Sequence, residues 1–283
     1  MKTSLKNRWF ILLGIALVIM AAGIALDSVF FSAYRLNLRY ETVSGSRIPS
    51  SHNGMSIVCF GDLEYGTYMD KKRMTNLVET VNRLSPDTIV FLGDLYDRAY
   101  TPTEEEEAEF VKLLSTLRAP EGKFAVLGEM DRARSEAIVK DLTSAGFEVL
   151  ENEAIQIHHG ANEYIDLVGF NVNTVDQYTV SSMYAGLESE VFKIVVSHSA
   201  DIADNLPVAS TDWVIGANAH SYQTRFPLFE SFVKDETSNR YTPGKHIVDN
   251  TVIYASYGVG TTKNDRRLFA DPEILVLKLS PSK

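Results

Sequence analysis

From residue 55 onward the chain is punctuated by six short apolar runs: MSIVCF, DTIVFL, KFAVLG, FKIVVS, DWVIG and TVIYASY. They are rich in Val and Ile and bounded by Gly, Asp or Ser, as strands are. Between the first runs, Met74, Leu77, Val78, Val81 and Leu84 follow helical spacing, as do Phe110, Val111, Leu114 and Leu117 in the next connection. The stretch TPTEEEEAEF predicts the start of that second helix, with Pro102 and a run of Glu near its positive dipole end. Apolar strands alternating with amphipathic helices predict an α/β domain with largely parallel central strands. IQIHHGANEYIDLVGF predicts a hairpin with a Gly-Ala-Asn turn, so the sheet is mixed. His158 and His159 beside that turn are expected to be solvated.

Composition narrows what such a domain does. The 283 residues, 45% hydrophobic, support one sizeable core or at most two small ones. A formal charge of −10 excludes a basic nucleic-acid groove. The single cysteine, Cys59, excludes an internal disulfide and a thiolate metal cage, and in its apolar run it is expected to be a core residue.

Residues 9 to 26, WFILLGIALVIMAAGIAL, carry no charge over 18 residues, the length of a membrane-spanning helix. Lys2, Lys6 and Arg8 precede it, which directs the short N-terminus to the cytoplasm; Arg35 and Arg39 on the far side weaken that bias. The expected organisation is a cytoplasmic tail at 1–8, a single uncleaved anchor at 9–29, a stalk and lead-in strand at 30–54, and one domain at 55–283.

Polar residues collect at the carboxyl ends of the apolar runs. MSIVCF leads into Asp62 and Glu64, DTIVFL into Asp94 and Asp97, and KFAVLG into Glu129, Met130 and Asp131. FKIVVS leads into His198, and DWVIG into Asn218 and His220. In open α/β sheets ligands bind just beyond these strand ends. One Asp after a strand is commonly a helix cap; five strands delivering acids, Asn and His to one rim form a candidate ligand site.

In this order, DLE at 62, GDLYD at 93, GEMD at 128, His198 within VVSHSAD and ANAHSYQ at 217, the chain resembles the calcineurin-like metallophosphoesterases, particularly their bacterial membrane-anchored branch. That family's order is D-x-H, G-D-x-x-D, G-N-H-D/E, a lone His, then G-H-x-H. The run from YASYGVGTT to DPEILVLKL also resembles the family's closing strands. The resemblance implies a four-layer αββα sandwich with mixed central sheets. It also implies two divalent metal ions (Mn, Mg, Fe or Zn), one held by Asp62, Glu64, Asp94 and His220 and the other by Asp94, Glu129, His198 and Asn218. Asp97 would support the loops.

The departures bear on chemistry. Glu64, Glu129 and Asn218 stand where the family carries His, Asn and His; each can still ligate through oxygen. Met130 occupies the place of the family His that assists phosphate chemistry, and a thioether donates no proton. Asp131 is then the nearest candidate catalytic group, beside a role in orienting the loop. Four carboxylates replace the two of the family pattern, which weakens attraction for an anionic phosphate. The expectation is a membrane-anchored, metal-dependent hydrolase of weak or altered activity on a phosphoester or pyrophosphate. Its substrate would be a phosphorylated small molecule or lipid-linked phosphate, met outside the cytoplasm. The alternative is a pseudo-phosphoesterase that binds a metal, an anion or a protein. A third possibility pairs Glu64 and Glu129 with bases such as Arg98 or Arg132 and binds nothing.

Overall fold

The computed structural model describes residues 2–160, 162–217, 223–224, 240–262 and 264–282. Helix α1 (Lys2–Phe30) contains a stretch, Arg8–Phe30, long and apolar enough to cross a membrane, and none of its apolar window is buried against the rest of the chain. A helix apolar all round with no protein partner is suited to lipid.

Among the described residues the domain holds two six-stranded mixed sheets. The first runs β1 (Asn37–Gly45), β12 (Glu273–Pro281), β2 (Ser56–Phe60), β3 (Thr88–Phe91), β4 (Lys123–Ala125) and β5 (Glu148–Val149). Only the β12–β2 pairing is antiparallel. The second runs β10 (Gly244–Val248), β11 (Thr251–Ala255), β9 (Trp213–Ala217), β8 (Lys193–Ser199), β7 (Tyr164–Phe170) and β6 (Glu153–His158). Its two edge pairings are antiparallel and the interior is parallel.

The layers follow from side-chain alternation along strands that are apolar on both faces. In β2, Ile57 and Cys59 face the core between the sheets, while Val58 and Phe60 face outward. Helices α2 (Lys71–Leu84), α3 (Glu104–Leu114) and α4 (Ser135–Ser144) cover that outer face through Met74, Leu77, Val81, Phe110, Leu114, Ile138 and Leu142. In the second sheet, Ile194, Val196, Trp213 and Ile215 face the inter-sheet core, and Val195 and Val214 face α5 (Gln177–Ala185) and the short turns after β8. The result is the αββα sandwich. Helix α3 begins as its sequence predicts, with Thr103 and Glu106 forming a reciprocal capping box.

Residues 37–45 do more than lead in. β1 pairs with β12 along nine residues, Asn37↔Glu273 to Gly45↔Pro281, and is the edge of the first sheet. Cys59 is fully buried in the inter-sheet core, where burial pushes its thiol far above the usual range. The expectation of solvated hairpin histidines needs correcting at His159. Its ring is three-quarters buried and pairs with Glu121, because the β6–β7 hairpin packs back against the loop before β4.

Candidate metal centre

Strands β2 and β3 run parallel, and beyond their ends the two loops keep bonding. Asp62 N–H donates to the Gly93 carbonyl (3.0 Å), Glu64 N–H to that of Asp94 (2.9 Å) and Tyr65 N–H to that of Leu95 (2.9 Å). This extended pairing forces three acids into the left-handed region, with φ of 49° at Asp62, 49° at Glu64 and 58° at Asp94. Such a backbone costs about 1–2 kcal/mol per residue and persists only where the surroundings over-determine it. Here the strain turns carboxylates inward: Asp62 is 2% exposed, and Asp94 and Glu64 are fully buried.

His198 reaches the same point from β8 in the opposite sheet. Its Nδ1 lies 2.7 Å from the Leu92 carbonyl, which can only accept, so Nδ1 carries the proton and donates. That assigns the lone pair to Nε2, which lies 3.3 Å from Asp94 Oδ2 and 3.7 Å from Asp62 Oδ1. One ligand atom each from Asp62, Asp94 and His198 falls within a 4.8 Å cluster. A histidine oriented by a backbone carbonyl, with its other nitrogen turned to two carboxylates, has the arrangement of a metal ligand. Two glycines make the room. A Cβ on Gly128 would lie 2.0 Å from Asp94 Oδ1, and one on Gly258 would lie 2.5 Å from Asp62 Oδ2. These residues fit a divalent cation.

The GEMD loop supplies structure more than side chains. The fully buried Asp131 accepts N–H bonds from Asp94 (2.9 Å), Leu95 (2.9 Å) and Gly128 (2.8 Å), clamping two ligand loops with one carboxylate. Burial and then the Asp94 charge raise its pKa, against the pull of those three bonds. Met130 N–H donates to Asp94 Oδ1 at 2.9 Å, so this position serves the site through its main chain. Glu129 immediately precedes the short 3-10 turn Met130–Arg134 and is exposed, unlike the three clustered residues. Asp97 closes its own turn by accepting the Ala99 N–H at 2.7 Å. Asn218 and His220 lie outside the described residues.

One residue had not stood out in the sequence. Arg267 is 1% exposed, and its guanidinium donates to the carbonyls of Tyr257, Gly258, Gly260 and Ala270. Burial pushes its pKa down to about 10, while the charges of Asp62 and Glu64 act the other way. The buried Arg267 guanidinium thus acts electrostatically on both Asp62 and Glu64 from a distant loop. The loop it pins is bonded to the site: Val259 N–H donates to the Gly61 carbonyl and Gly260 N–H to that of Asp62. The glycine spacing in YGVG was the available signal, because the backbone touches Asp62 there.

A family profile described as calcineurin-like phosphoesterase matches residues 55–264. The chain belongs to this family. The metallophosphoesterase YkuE of Bacillus subtilis, itself uncharacterized, is 25% identical over 252 residues, covering 88% of this chain and 87% of that one. The UDP-2,3-diacylglucosamine pyrophosphatase LpxG of Chlamydia muridarum is 22% identical over 320 residues, covering 93% and 96%. A Bos taurus transmembrane protein with a metallophosphoesterase domain is 25% identical over 252 residues; this chain spans 83% of itself and 55% of that protein.

The two possible roles of Asp131 separate experimentally. Asp131→Asn places an NH₂ against backbone donors and leaves a buried N–H unmet, at a cost of about 1–3 kcal/mol. The urea midpoint of the domain should fall with unchanged slope. Unchanged stability together with a lower rate on alkyl esters would instead assign Asp131 the proton.

Proposed function

We propose that this protein is a membrane-anchored, divalent-metal-dependent phosphoesterase with activity narrowed by the loss of a proton donor. The observation that carries the reading is the His198–Asp62–Asp94 cluster, with Nδ1 tied to the Leu92 carbonyl and Nε2 turned to both carboxylates. Asp62, Glu64, Asp94 and His220 would hold one cation, and Asp94, Glu129, His198 and Asn218 the other. A bound divalent ion supplies charge stabilisation at phosphoryl oxygens and acidifies water. The rest falls to the chain. Met130 N–H fixes the rotamer of Asp94, Asp131 holds the ligand loops in register, and Arg267 offsets part of the carboxylate charge beside Asp62 and Glu64.

The oxygen-rich donor set favours Mn²⁺ or Mg²⁺ more than a His-rich site does. A phosphoester or pyrophosphate carried by a lipid is the substrate class we favour. Support comes from the anchor helix and from a relative that acts on a diacylated UDP-sugar. The loss of imidazole at Met130 supports a second reading, a pseudo-phosphoesterase that only binds.

Met130 separates the readings. General-acid assistance contributes about 10²–10⁴-fold, so an enzyme without it should cleave an activated aryl phosphodiester measurably and an alkyl ester hardly at all. Met130→His should raise the alkyl rate more than the aryl rate, by about 10²-fold where proton donation limits. Asp94→Asn should abolish both. A binding module would turn over neither ester and gain nothing from Met130→His. Turnover indifferent to Asp94→Asn would sink the metal mechanism.

We also propose a single span with the domain facing away from the cytoplasm, supported by Lys2, Lys6 and Arg8 ahead of the apolar stretch. Protease added to intact spheroplasts should digest the domain. Its survival until lysis would reverse the orientation.

A further inference from the structure

The exit of α1 is bolted to the domain at one loop. Ser32 and Ala33, in a short turn after the helix, are buried against it, at 1% and 3% exposed. Ser32 Oγ donates to Asp271 Oδ1 at 3.2 Å, and Arg35 Nη1 reaches both Asp271 oxygens at 3.1 and 3.3 Å. Tyr34 Oη donates to Asp265 Oδ2 at 3.1 Å. Arg73 closes the joint, donating to Asp265 Oδ1 at 2.7 Å and to the Ala33 carbonyl at 2.5 Å, with its guanidinium 4.9 Å from the Tyr34 ring. Residues 265 to 271 are thus held at both ends by the segment that leaves the span.

The middle of this loop carries Phe269, half exposed and at φ 53°. A bulky aromatic at positive φ is a true outlier, and stability alone favours Gly or Asn there. Neither burial nor backbone freedom explains a phenylalanine at this position. Its neighbours do. Phe269 is two residues from Asp271, hence within about 7 Å of its Cα, and Asp271 is bonded to residues 32 and 35. At the same exit Phe30, Phe31 and Tyr34 are 60%, 62% and 54% exposed, and Arg266, in the same loop as Phe269, is exposed. Exposed aromatics with a flanking arginine, at the end of an apolar span, match the composition of segments that lie at the headgroup level.

We propose that the 265–271 loop is a second membrane contact. Phe269 sits in the headgroup–acyl boundary and Arg266 faces lipid phosphate. The occupant is the bilayer from which α1 emerges, since the loop is continuous through Asp265 and Asp271 with the exit of the span. This inference rests on the anchor reading above. It adds that the domain is seated on the membrane rather than swinging from a stalk. The loop that seats it is the one that Arg267 ties to Gly258 and Gly260, beside Asp62.

The test uses the full chain in vesicles of phosphatidylethanolamine and phosphatidylglycerol. Single cysteines are introduced as Phe269→Cys, Val18→Cys within the span, and Tyr178→Cys on α5, where the side chain is 80% exposed. Each carries an environment-sensitive dye; Cys59, fully buried, stays unlabelled in the folded protein. Doxyl-labelled lipid should quench the probes at 18 and 269, the latter at least threefold more than at 178. A probe at 269 that behaves like 178 while 18 is quenched overturns the contact and leaves the anchor standing. No quenching at 18 removes the anchor, and this inference with it. A blue-shifted probe at 269 that lipid quencher does not touch places protein on the loop and equally overturns the proposal.

Discussion

Burying like charge is the constraint on which this molecule depends. Asp62, Glu64, Asp94 and Asp131 are all at most 2% exposed and converge from three consecutive strand ends. Carboxylates in such surroundings either neutralise or find compensation. Each finds it differently. Asp131 receives three backbone N–H groups, Asp94 receives the Met130 N–H, and Asp62 and Glu64 share the field of buried Arg267. The left-handed backbone at Asp62, Glu64 and Asp94 accompanies this burial. A divalent cation is the natural completion of a site that concentrates this much negative charge in a dry interior.

Arg267 alters the electrostatics expected of four acids in one pocket. Four carboxylates alone would neutralise two divalent ions outright and leave little attraction for a phosphate. One permanently buried guanidinium restores part of the positive balance. Its charge acts on Glu64, which stands where the family carries a neutral or cationic ring, as well as on Asp62. The same residue mechanically links the site to the loop on which the anchor rests. Glu64 in the first motif, a distant arginine and the loop that holds the exit of α1 are in this way joined.

The three clustered residues were legible in the sequence because strand ends are local. An apolar run closing on Gly-Asp or on Ser-His places its polar residue at the rim whatever the rest of the chain does. That is why Asp62, Asp94 and His198 could be named from spacing and then found together. What was not legible depends on contacts between distant residues. The apolar runs carried no sign that β1 pairs with a strand more than two hundred residues later, or that Arg267 returns to Asp62. Asp131 was ambiguous between acid catalyst and loop support, because only the three backbone donors around it distinguish the two. His159 looked solvated because its partner, Glu121, belongs to another connection. The backbone of Met130 shows the limit in its sharpest form: the side chain lost its chemistry, while the amide, invisible to residue type, still holds Asp94.

The Asp62–Asp94–His198 cluster is expected to bind a divalent cation in the fold as it stands. Calorimetric titration of Mn²⁺ into the chelator-stripped full chain in detergent tests it directly. Saturable binding of at least one ion is predicted, weakened more than about tenfold by His198→Ala while the thermal unfolding of the metal-free protein is little changed. Binding that is absent at millimolar Mn²⁺, or that His198→Ala leaves untouched, would contradict it.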